Sequence, residues 1–399
     1  MSLNDLYSPK QQEVLRFAMN HDYFMLINHG AKRSGKTVVD NDLFLHELRR
    51  VRNIADQNGI ALPQYILAGA DLGAVHRNIL SELTNKYGLE FQFDKFNRFK
   101  LFGVQVCCFG HSKINDLGRI RGMTAYGAYV NEGTVATREV FNEIKSRCSG
   151  DGARLLIDTN PDNPMHWLKQ DYINQADGKT IAEFQWRLTD NTFLSDRYKQ
   201  SIIDSTPTGM FTDRDINGAW VAASGIVYPD FKEDVHFITA DKVPPIVRHF
   251  AGVDFGWEHY GVFCLFGVGI DGNTYLLKEW AAKHRSIEDW IEIGNQIVDQ
   301  CGDILFYCDS ARPDRIMEMQ IAGLRAMNAV KDVVAGIGHV ASLLKQKKLF
   351  IMKEGVTLFL QEIGVYAWKE NADEPVKEMD DCMDAMRYGI YSDKIYGER

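Results

Sequence analysis

The chain has 399 residues, 45% of them hydrophobic and 25% charged, and a formal net charge of −9 at pH 7. This composition is typical of a soluble globular protein, and the length predicts two domains. The acidic balance argues against a general nucleic-acid binder, but it leaves room for a local basic groove because salt screens charges beyond roughly 10 Å. No apolar run is long enough to cross a bilayer and no basic-then-apolar leader is present, so we expect a cytoplasmic protein that is not secreted.

A phosphate-binding pattern lies near the start of the chain, between an apolar strand at 23–28 and a helix at 38–52. Its glycines allow backbone N–H groups to surround the β-phosphate of a nucleotide at the N-terminus of the helix. Lys36 is expected to reach the β- and γ-phosphates, and the Thr37 hydroxyl to ligate Mg²⁺. The expected nucleotide contacts are Gly30, Arg33, Ser34, Gly35, Lys36 and Thr37. The pattern predicts ATP as a cofactor, although by itself it also fits a turn before an ordinary helix.

Apolar strands alternate with helices through the rest of the first half, which predicts a mainly parallel sheet flanked by helices. The expected elements are a capped helix start at Ser8, strands at 64–69, 126–130 and 154–157, strand material at 99–109 with a turn at Gly103, a helix at 73–87 and a helical stretch at 191–223. Each strand ends in polar residues, as expected where the carboxyl ends of parallel strands carry a site.

Three polar positions in this half suit ATP hydrolysis. Asn131 and Glu132 follow the strand at 126–130, where such an ATPase needs one acid for the Mg²⁺ shell and a second to polarise water. Glu132 is therefore the expected general base, whereas Asn131 predicts weaker Mg²⁺ binding. Arg121 is a candidate to stabilise the γ-phosphate in its own or a neighbouring subunit, and Asn160 to sense that phosphate. Taken singly, these positions also fit a solvated strand end, a surface arginine and a turn.

The second half begins with three successive strands, at 249–257, 262–270 and 274–280, with a hairpin turn at Asp271-Gly272-Asn273. A helix at 286–300 and a strand at 304–308 follow. Antiparallel hairpins followed by a parallel strand indicate a separate α/β fold. The predicted bounds are 1–225 for a first domain with a helical lid toward its end, 226–245 for a linker and 246–399 for a second domain.

Four acids in the second domain are expected to converge. Asp254 lies in the middle of its strand, Asp309 follows the strand at 304–308, and Asp381 and Asp384 share one face of a helix expected at 377–391. Such acids repel one another unless divalent metal neutralises them, which predicts a two-metal site for phosphodiester hydrolysis. The alternative is a scattered set of acids, two of them favoured by a helix dipole. The strand order favours the metal site, because it is that of ribonuclease H.

At these motifs the chain resembles the large terminase subunit of tailed bacteriophages, over nearly its whole length. The phosphate loop, Arg121-Gly122, Asn131-Glu132 and Thr159-Asn160-Pro161 follow the order of that family's ATPase domain. Asp254-Phe255-Gly256, Cys308-Asp309 and Asp384-Ala385-Met386-Arg387-Tyr388 follow the order of its nuclease domain. The resemblance implies a P-loop ATPase domain followed by a ribonuclease H-like nuclease domain.

The resemblance also implies a function. The family's motor hydrolyses ATP to move viral double-stranded DNA into a procapsid, and its nuclease cuts concatemers. The implied cofactors are ATP with Mg²⁺ in the first domain and two Mg²⁺ or Mn²⁺ ions in the second, held by Asp254, Asp309, Asp381 and Asp384. The implied partners are double-stranded DNA, the portal protein of the procapsid, the small terminase subunit and further copies of the chain in a ring, in the host cytoplasm.

For single residues, the resemblance implies a trans-acting finger role for Arg121 and a coupling role for Asn160. Two residues depart from the family pattern: Asn131 replaces the usual Asp, and Asp381 stands where some relatives have His. Two other functions stay open. A cellular ATP-driven helicase or repair nuclease would share both sites but should carry additional helicase motifs. A non-enzymatic assembly protein stabilised by ATP would tolerate Asn131.

Overall fold

The computed structural model describes residues 3–114 and 117–397. The chain divides into two compact units: unit 1 comprises the residues up to Lys199 and Asp213–Val221, and unit 2 comprises Gln200–Thr212 and the residues from Ala222 onward. Both units are α/β, which confirms the predicted fold class. The segment predicted as a linker, 226–245, lies in unit 2. Within the described ranges, no helix has the length and apolarity needed to cross a membrane.

The sheet of unit 1 is mainly parallel. Its strands are β1 (Met25–Gly30), β2 (Gln64–Gly69), β3 (Arg98–Leu101), β4 (Val104–Gly110), β5 (Ala125–Val130), β6 (Arg154–Thr159) and β7 (Ile181–Trp186). Their spatial order is β3-β4-β2-β5-β6-β1-β7, and only the β3–β4 hairpin is antiparallel among these pairs. The carboxyl ends of β1, β5 and β6 therefore meet at one edge of the sheet, where a ligand site is expected.

Helices cover both faces of this sheet. They are α1 (Leu3–Leu6), α2 (Pro9–Asn20), α3 (Lys36–Gln57), α4 (Leu72–Val75), α5 (Ser81–Tyr87), α6 (Leu117–Ile120), α7 (Arg138–Arg147) and α8 (Trp167–Asp171), with a π-helical turn at His76–Leu80. Successive β1 residues point to opposite faces, so Leu26 joins the core under Phe44 of α3 while Ile27 joins the core under Phe141 of α7. Two further helices, α9 (Asp196–Ser205) and α10 (Met210–Asp215), each contain residues of both units.

The sheet of unit 2 is mixed. Its strands are β8 (Phe237–Ile238), β9 (Ile246–Asp254), β10 (Gly261–Gly269), β11 (Thr274–Ala282), β12 (Leu305–Cys308), β13 (Arg325–Asn328) and β14 (Leu349–Met352), in the spatial order β13-β12-β9-β10-β11-β14-β8. The predicted arrangement is confirmed, because β9, β10 and β11 form an antiparallel meander and β12 pairs in parallel with β9. Its helices are α11 (Glu233–His236), α12 (Ile287–Cys301), α13 (Pro313–Ile321), α14 (Val333–Lys345), α15 (Leu358–Glu362) and α16 (Asp381–Tyr396).

Two predicted positions in unit 2 were wrong. Asp254 is the last residue of β9 rather than a mid-strand residue, because the extended segment ends there and the chain bends at 257–259. The last helix begins at Asp381 rather than near residue 377. Met379 has a left-handed backbone conformation, with φ of 53°, and a helix cannot continue through it.

Helix α16 packs against β9 through two glycines. A Cβ on Gly252 would lie 2.0 Å from the carbonyl oxygen of Ala385, and a Cβ on Gly389 would lie 3.0 Å from the Cα atom of Gly252. Only residues without a side chain allow the helix to approach the strand this closely. The contact brings the first turn of α16 to the carboxyl end of β9, where Asp254 lies.

We expect Gly252→Ala to lower the free energy of unfolding of unit 2 by about 1–3 kcal/mol, because the added methyl group meets helix backbone that cannot move aside cheaply. Differential scanning calorimetry of the full chain would measure the change. Gly364→Ala is the control, since a Cβ there meets no atom within 4 Å. Equal effects of the two variants would contradict the packing argument.

Candidate functional site

The loop between β1 and α3 is held by side chains from outside the loop. Arg33 and Gly35 have left-handed backbone conformations, with φ of 59° and 94°. The carbonyl oxygen of Gly35 accepts a hydrogen bond from Nε2 of Gln11 (2.9 Å), and that of Arg33 accepts one from Nδ2 of Asn191 (2.8 Å). Ser34 is buried, and among the described residues its Oγ has no hydrogen-bond partner. A buried hydroxyl without a partner is costly, so the loop fits an added acceptor such as a phosphate oxygen.

Lys36, the first residue of α3, folds back over this loop. Its Nζ donates to the carbonyl oxygens of Gly30 (3.2 Å) and Ala31 (3.0 Å) and to Oδ1 of Asn160 (2.8 Å). Burial lowers the pKa of Lys36 to about 8, against the opposing effect of nearby carboxylates, chiefly Asp158. The side chain is therefore a buried cation with only neutral acceptors, a state that a phosphate would relieve.

The ends of β5 and β6 are joined by an amide–carboxylate pair. The strand register sets Val130 beside Ile157, so the next residues, Asn131 and Asp158, are also neighbours. Nδ2 of Asn131 donates to both carboxylate oxygens of Asp158, at 2.8 and 3.0 Å. Oδ1 of Asn131 accepts from Nδ2 of Asn78 at 2.9 Å. The amide of Asn131 is thus held on both sides.

Glu132 has the geometry of a strained functional residue. Its backbone is left-handed, with φ of 58°, and its N–H donates to Oδ1 of Asp158 at 2.9 Å. Such a conformation is costly for a residue with a side chain, and it is found preferentially at active sites. Burial and the neighbouring Asp158 raise the pKa of the Glu132 carboxyl, which favours a role in accepting a proton.

These groups surround one cavity of about 470 Å³ in unit 1. The predicted residues that line it are Arg33, Ser34, Gly35, Lys36, Thr37, Asn131, Glu132 and Asn160. Gly30 ends β1 directly before the loop. Arg121 is exposed and lines a different cavity of unit 1, together with Arg119 and Gly122. The structure therefore brings together all the predicted nucleotide-site residues except Arg121.

The predicted acids of unit 2 gather at the carboxyl ends of β9 and β12. Asp309 follows Cys308, which pairs with Val253, and so lies beside Asp254. The N–H of Asp309 donates to the carbonyl oxygen of Val253 at 3.0 Å. Burial raises the pKa of Asp254 well above its ordinary value, and the charges of Asp384, Asp309 and Asp381 raise it further. Carboxylates that interact in this way form a single charged cluster.

Basic side chains neutralise part of this cluster. Lys377 Nζ contacts Oδ2 of Asp384 at 2.8 Å and Oδ2 of Asp380 at 3.0 Å. Arg387 donates to Oδ1 of Asp384 at 2.8 Å, and Lys331 Nζ lies 2.5 Å from Oδ1 of Asp309. Although burial opposes it, Arg387 and Lys377 hold the pKa of Asp384 below its ordinary value.

Oxygen donors of this kind suit Mg²⁺ or Mn²⁺. Over the ranges that the structure describes, however, no three acidic, histidine or cysteine side chains are arranged as a ready-made metal cage. The donor chemistry fits a divalent cation, but Asp309 and Asp384 would have to exchange their basic partners for it.

Comparison with known families decides the affiliation of the chain. The family described as "Terminase large subunit, T4likevirus-type, N-terminal" matches residues 30–234, which is just over half of the chain. The chain belongs to the large terminase subunit family. The resemblance noted in the sequence is thereby confirmed. No curated protein matches the sequence significantly.

Solved structures of large terminases have the same fold as this chain. The large terminase of a thermophilic bacteriophage is 24% identical, with a TM-score of 0.82 over 98% of this chain and 99% of that chain. The same phage protein in complex with ADP has a TM-score of 0.79 over 98% of this chain and 99% of that chain. Its complex with ATP-γ-S has a TM-score of 0.78 over 97% of this chain and 98% of that chain, and both are 24% identical. At this level of identity the likeness establishes the fold.

Sequence reasoning missed several residues of both sites in this large terminase subunit. Those in unit 1 are Gln11, Arg77, Asp158 and Asn191, and those in unit 2 are Lys331, Lys377 and Arg387. Arg77 lines the loop cavity from the π-helical turn, a distortion that is frequent at functional sites. Arg387 was named within the nuclease motif at 384–388 without a role, although its spacing of one helical turn from Asp384 indicates their contact. No local sequence pattern marks the other missed residues as part of a site.

Glu362 supports the start of α16. Its Oε2 accepts hydrogen bonds from the N–H groups of Cys382 (2.9 Å) and Met383 (3.1 Å), two of the unpaired donors of the first helical turn. Burial raises the pKa of Glu362 to about 8, and the charge of Asp381 adds to this. Between its ordinary pKa of 4.5 and about 8, the folded state therefore holds a proton that the unfolded state has released.

Folding consequently becomes less favourable as pH rises from about 4.5 to about 8, because the unfolded chain binds fewer protons than the folded one. We expect Glu362→Gln to remove this pH-dependent loss of stability. The free energy of unfolding of the variant, relative to that of wild type, should therefore increase from pH 5.5 to pH 8. Calorimetry of the unit 2 transition at both pH values measures the difference. Glu370→Gln, which alters an exposed carboxyl of unit 2, should follow wild type. Parallel pH profiles for wild type and Glu362→Gln would refute the assignment.

Proposed function

We propose that this large terminase subunit is a DNA-packaging motor, which hydrolyses ATP to move double-stranded DNA into a procapsid and cuts that DNA with a metal-dependent nuclease. The observation that carries the proposal is the meeting of Lys36, Glu132 and Asn160 around one loop cavity. Unit 1 would hydrolyse ATP and unit 2 would cut DNA. We retain 1–225, 226–245 and 246–399 as the proposed functional domains.

In the proposed ATPase site, the loop N–H groups and Lys36 bind the phosphates, Thr37 holds Mg²⁺, and Asn131 lies beside the nucleotide. The unpartnered Ser34 hydroxyl supports a bound phosphate, as do the ADP and ATP-γ-S complexes of the thermophilic-phage relative. Mg²⁺, when bound with the nucleotide, neutralises charge on the β- and γ-phosphates. Glu132 then accepts the proton of the attacking water, a role that its raised pKa favours. Asn160, hydrogen-bonded to Lys36, is placed to respond to the γ-phosphate.

Arg121 is proposed to act on the nucleotide of a neighbouring subunit. Its exposure and its position at a cavity separate from the loop favour a trans role over a cis role. A finger supplied in trans implies a ring of subunits. The procapsid portal protein, the small terminase subunit and the host cytoplasm belong to the same proposal.

In the proposed nuclease site, Asp254, Asp309 and Asp384 hold two Mg²⁺ or Mn²⁺ ions, with Asp381 assisting. The mutual effect of these carboxylates on the pKa of Asp254 supports their closeness. Two such ions, when bound, supply a hydroxide and stabilise the leaving oxygen of a phosphodiester. Lys331 and Lys377 balance the carboxylate charge, and they would become available to the phosphates of the DNA backbone if bound ions took their place.

Family membership favours packaging over a cellular helicase or repair nuclease. The strained backbone of Glu132 favours hydrolysis over an assembly protein that only binds ATP, because a purely structural role would not require it.

We expect Lys36→Ala to reduce ATP hydrolysis by at least about 100-fold, because a buried cation at the phosphates is lost. In wild type, ATP binding near pH 8 should take up protons, since the pKa of the Lys36 amine is about 8 and a phosphate restores its charge. Isothermal titration calorimetry in two buffers of different ionisation enthalpy measures this uptake. Lys179→Ala, at an exposed lysine of unit 1, is the control. Turnover that persists in Lys36→Ala would show that the loop assignment is wrong.

We expect Asp309→Asn to abolish Mn²⁺-dependent cleavage of plasmid DNA while sparing ATP hydrolysis, because the carboxylate is lost at nearly unchanged size. The assay uses supercoiled plasmid with Mn²⁺, and with EDTA as the metal-free arm. Asp299→Asn, at an exposed carboxyl on α12, should cut as wild type does. Unchanged nicking by Asp309→Asn would rule out the proposed metal site.

A further inference from the structure

The nucleotide cavity contains a carboxylate that the sequence motifs do not assign. Position 131 carries an amide where an acid is expected, and Asp158 of the neighbouring strand β6 lies against that amide. We propose that Asp158 provides the negative charge that faces the nucleotide-bound Mg²⁺, in place of an acid at position 131. The inference rests on the nucleotide site proposed for unit 1.

The strand order places Asp158 suitably for this role. β6 lies between β5, which precedes Asn131, and β1, which precedes the phosphate loop. The register pairs Asp158 with Asn28 of β1 on one side and sets it beside Asn131 on the other. Asp158 lines the same cavity as Lys36 and Thr37. A carboxylate on β6 is therefore nearer to the loop strand than one at the end of β5 would be.

No cationic side chain of the described residues contacts Asp158 directly, although the Lys36 ammonium acts on it from farther away in the same cavity. The Asp158 side chain is 1% exposed, and its oxygens accept hydrogen bonds from the Asn131 amide, the Glu132 N–H (2.9 Å) and the Tyr129 hydroxyl (3.2 Å), all of them neutral donors. In the part of the chain that the structure describes, its hydrogen bonds come from these amide, hydroxyl and backbone groups rather than from a lysine, arginine or histidine. A buried carboxylate without a cation in direct contact is costly, and a divalent cation in the cavity would supply that contact.

Two further features point to a ligand at this position. The Ser34 hydroxyl is buried in the same cavity without a hydrogen-bond partner among the described residues, as expected if a bound group completes the site. The Asn131 side chain is already engaged, because its amide nitrogen donates to Asp158 and its oxygen accepts from Asn78. The Asn131 amide thus orients the Asp158 carboxylate, and Asp158 provides the negative charge.

The alternative is that Asp158 only anchors the backbone of Glu132. A charge exchange separates the two roles, because Asn131→Asp/Asp158→Asn keeps one acid and one amide in contact. The affinity for a fluorescent ATP-γ-S analogue would be measured with Mg²⁺ and with EDTA for wild type, Asp158→Asn and the double variant. Mn²⁺ bound to each protein–ADP complex would be counted by electron paramagnetic resonance, which is independent of turnover.

We expect Asp158→Asn to bind the nucleotide in EDTA with the affinity of wild type. The increase in affinity that Mg²⁺ causes should be at least about tenfold smaller in this variant than in wild type. The double variant should recover that gain to within about threefold. An unchanged Mg²⁺ gain in Asp158→Asn overturns the inference, as does a folded double variant without the gain. If Asp158→Asn fails to fold, the double variant alone decides. If the wild-type protein binds no nucleotide with Mg²⁺ or with EDTA, the result overturns the proposed ATPase site instead.

Discussion

The hydrogen bonds between the Asn131 amide and the Asp158 carboxylate are the central contact of the loop cavity in unit 1. They join the ends of β5 and β6, and the same carboxylate accepts the N–H of Glu132. Without that acceptor, the left-handed backbone of Glu132 would lose the contact that offsets its strain. The direction of the Glu132 side chain depends on this pair, because Asp158 accepts the Glu132 N–H.

The two units meet the same electrostatic problem in different ways. Each gathers acidic groups at the carboxyl end of a parallel strand pair, where their repulsion must be reduced. In unit 1 an amide takes one of the acidic positions, so Asp158 meets a donor instead of a second charge. In unit 2 the acids are all kept, and Lys331, Lys377 and Arg387 balance Asp309 and Asp384. The second arrangement leaves more oxygen ligands, as a site for two ions would require.

Local sequence was sufficient to predict the loop, the central strands of both sheets and most of the residues that line the loop cavity, because glycine spacing and apolar runs act over a few residues. It was insufficient for Asp158 and Lys377, whose importance comes from neighbours distant in sequence. Asp158 could be interpreted only after the order β5-β6-β1 was known, since nothing local states which strands are adjacent. The start of α16 was misjudged for a related reason: the polar residues before it continue a helical pattern, but the left-handed Met379 interrupts it.

The contacts of Lys36 suggest how phosphate binding reaches the rest of unit 1. Its ammonium group donates to two loop carbonyls and to Asn160, and the loop itself is tethered by Gln11. A phosphate is a charged acceptor and competes well with these neutral ones. Because the carbonyls belong to a tethered loop, the bond to Asn160 is the one that can be given up at least cost. If a phosphate replaced Asn160 as the acceptor, the residue that directly follows β6 would be freed, and β6 is also the strand that carries Asp158.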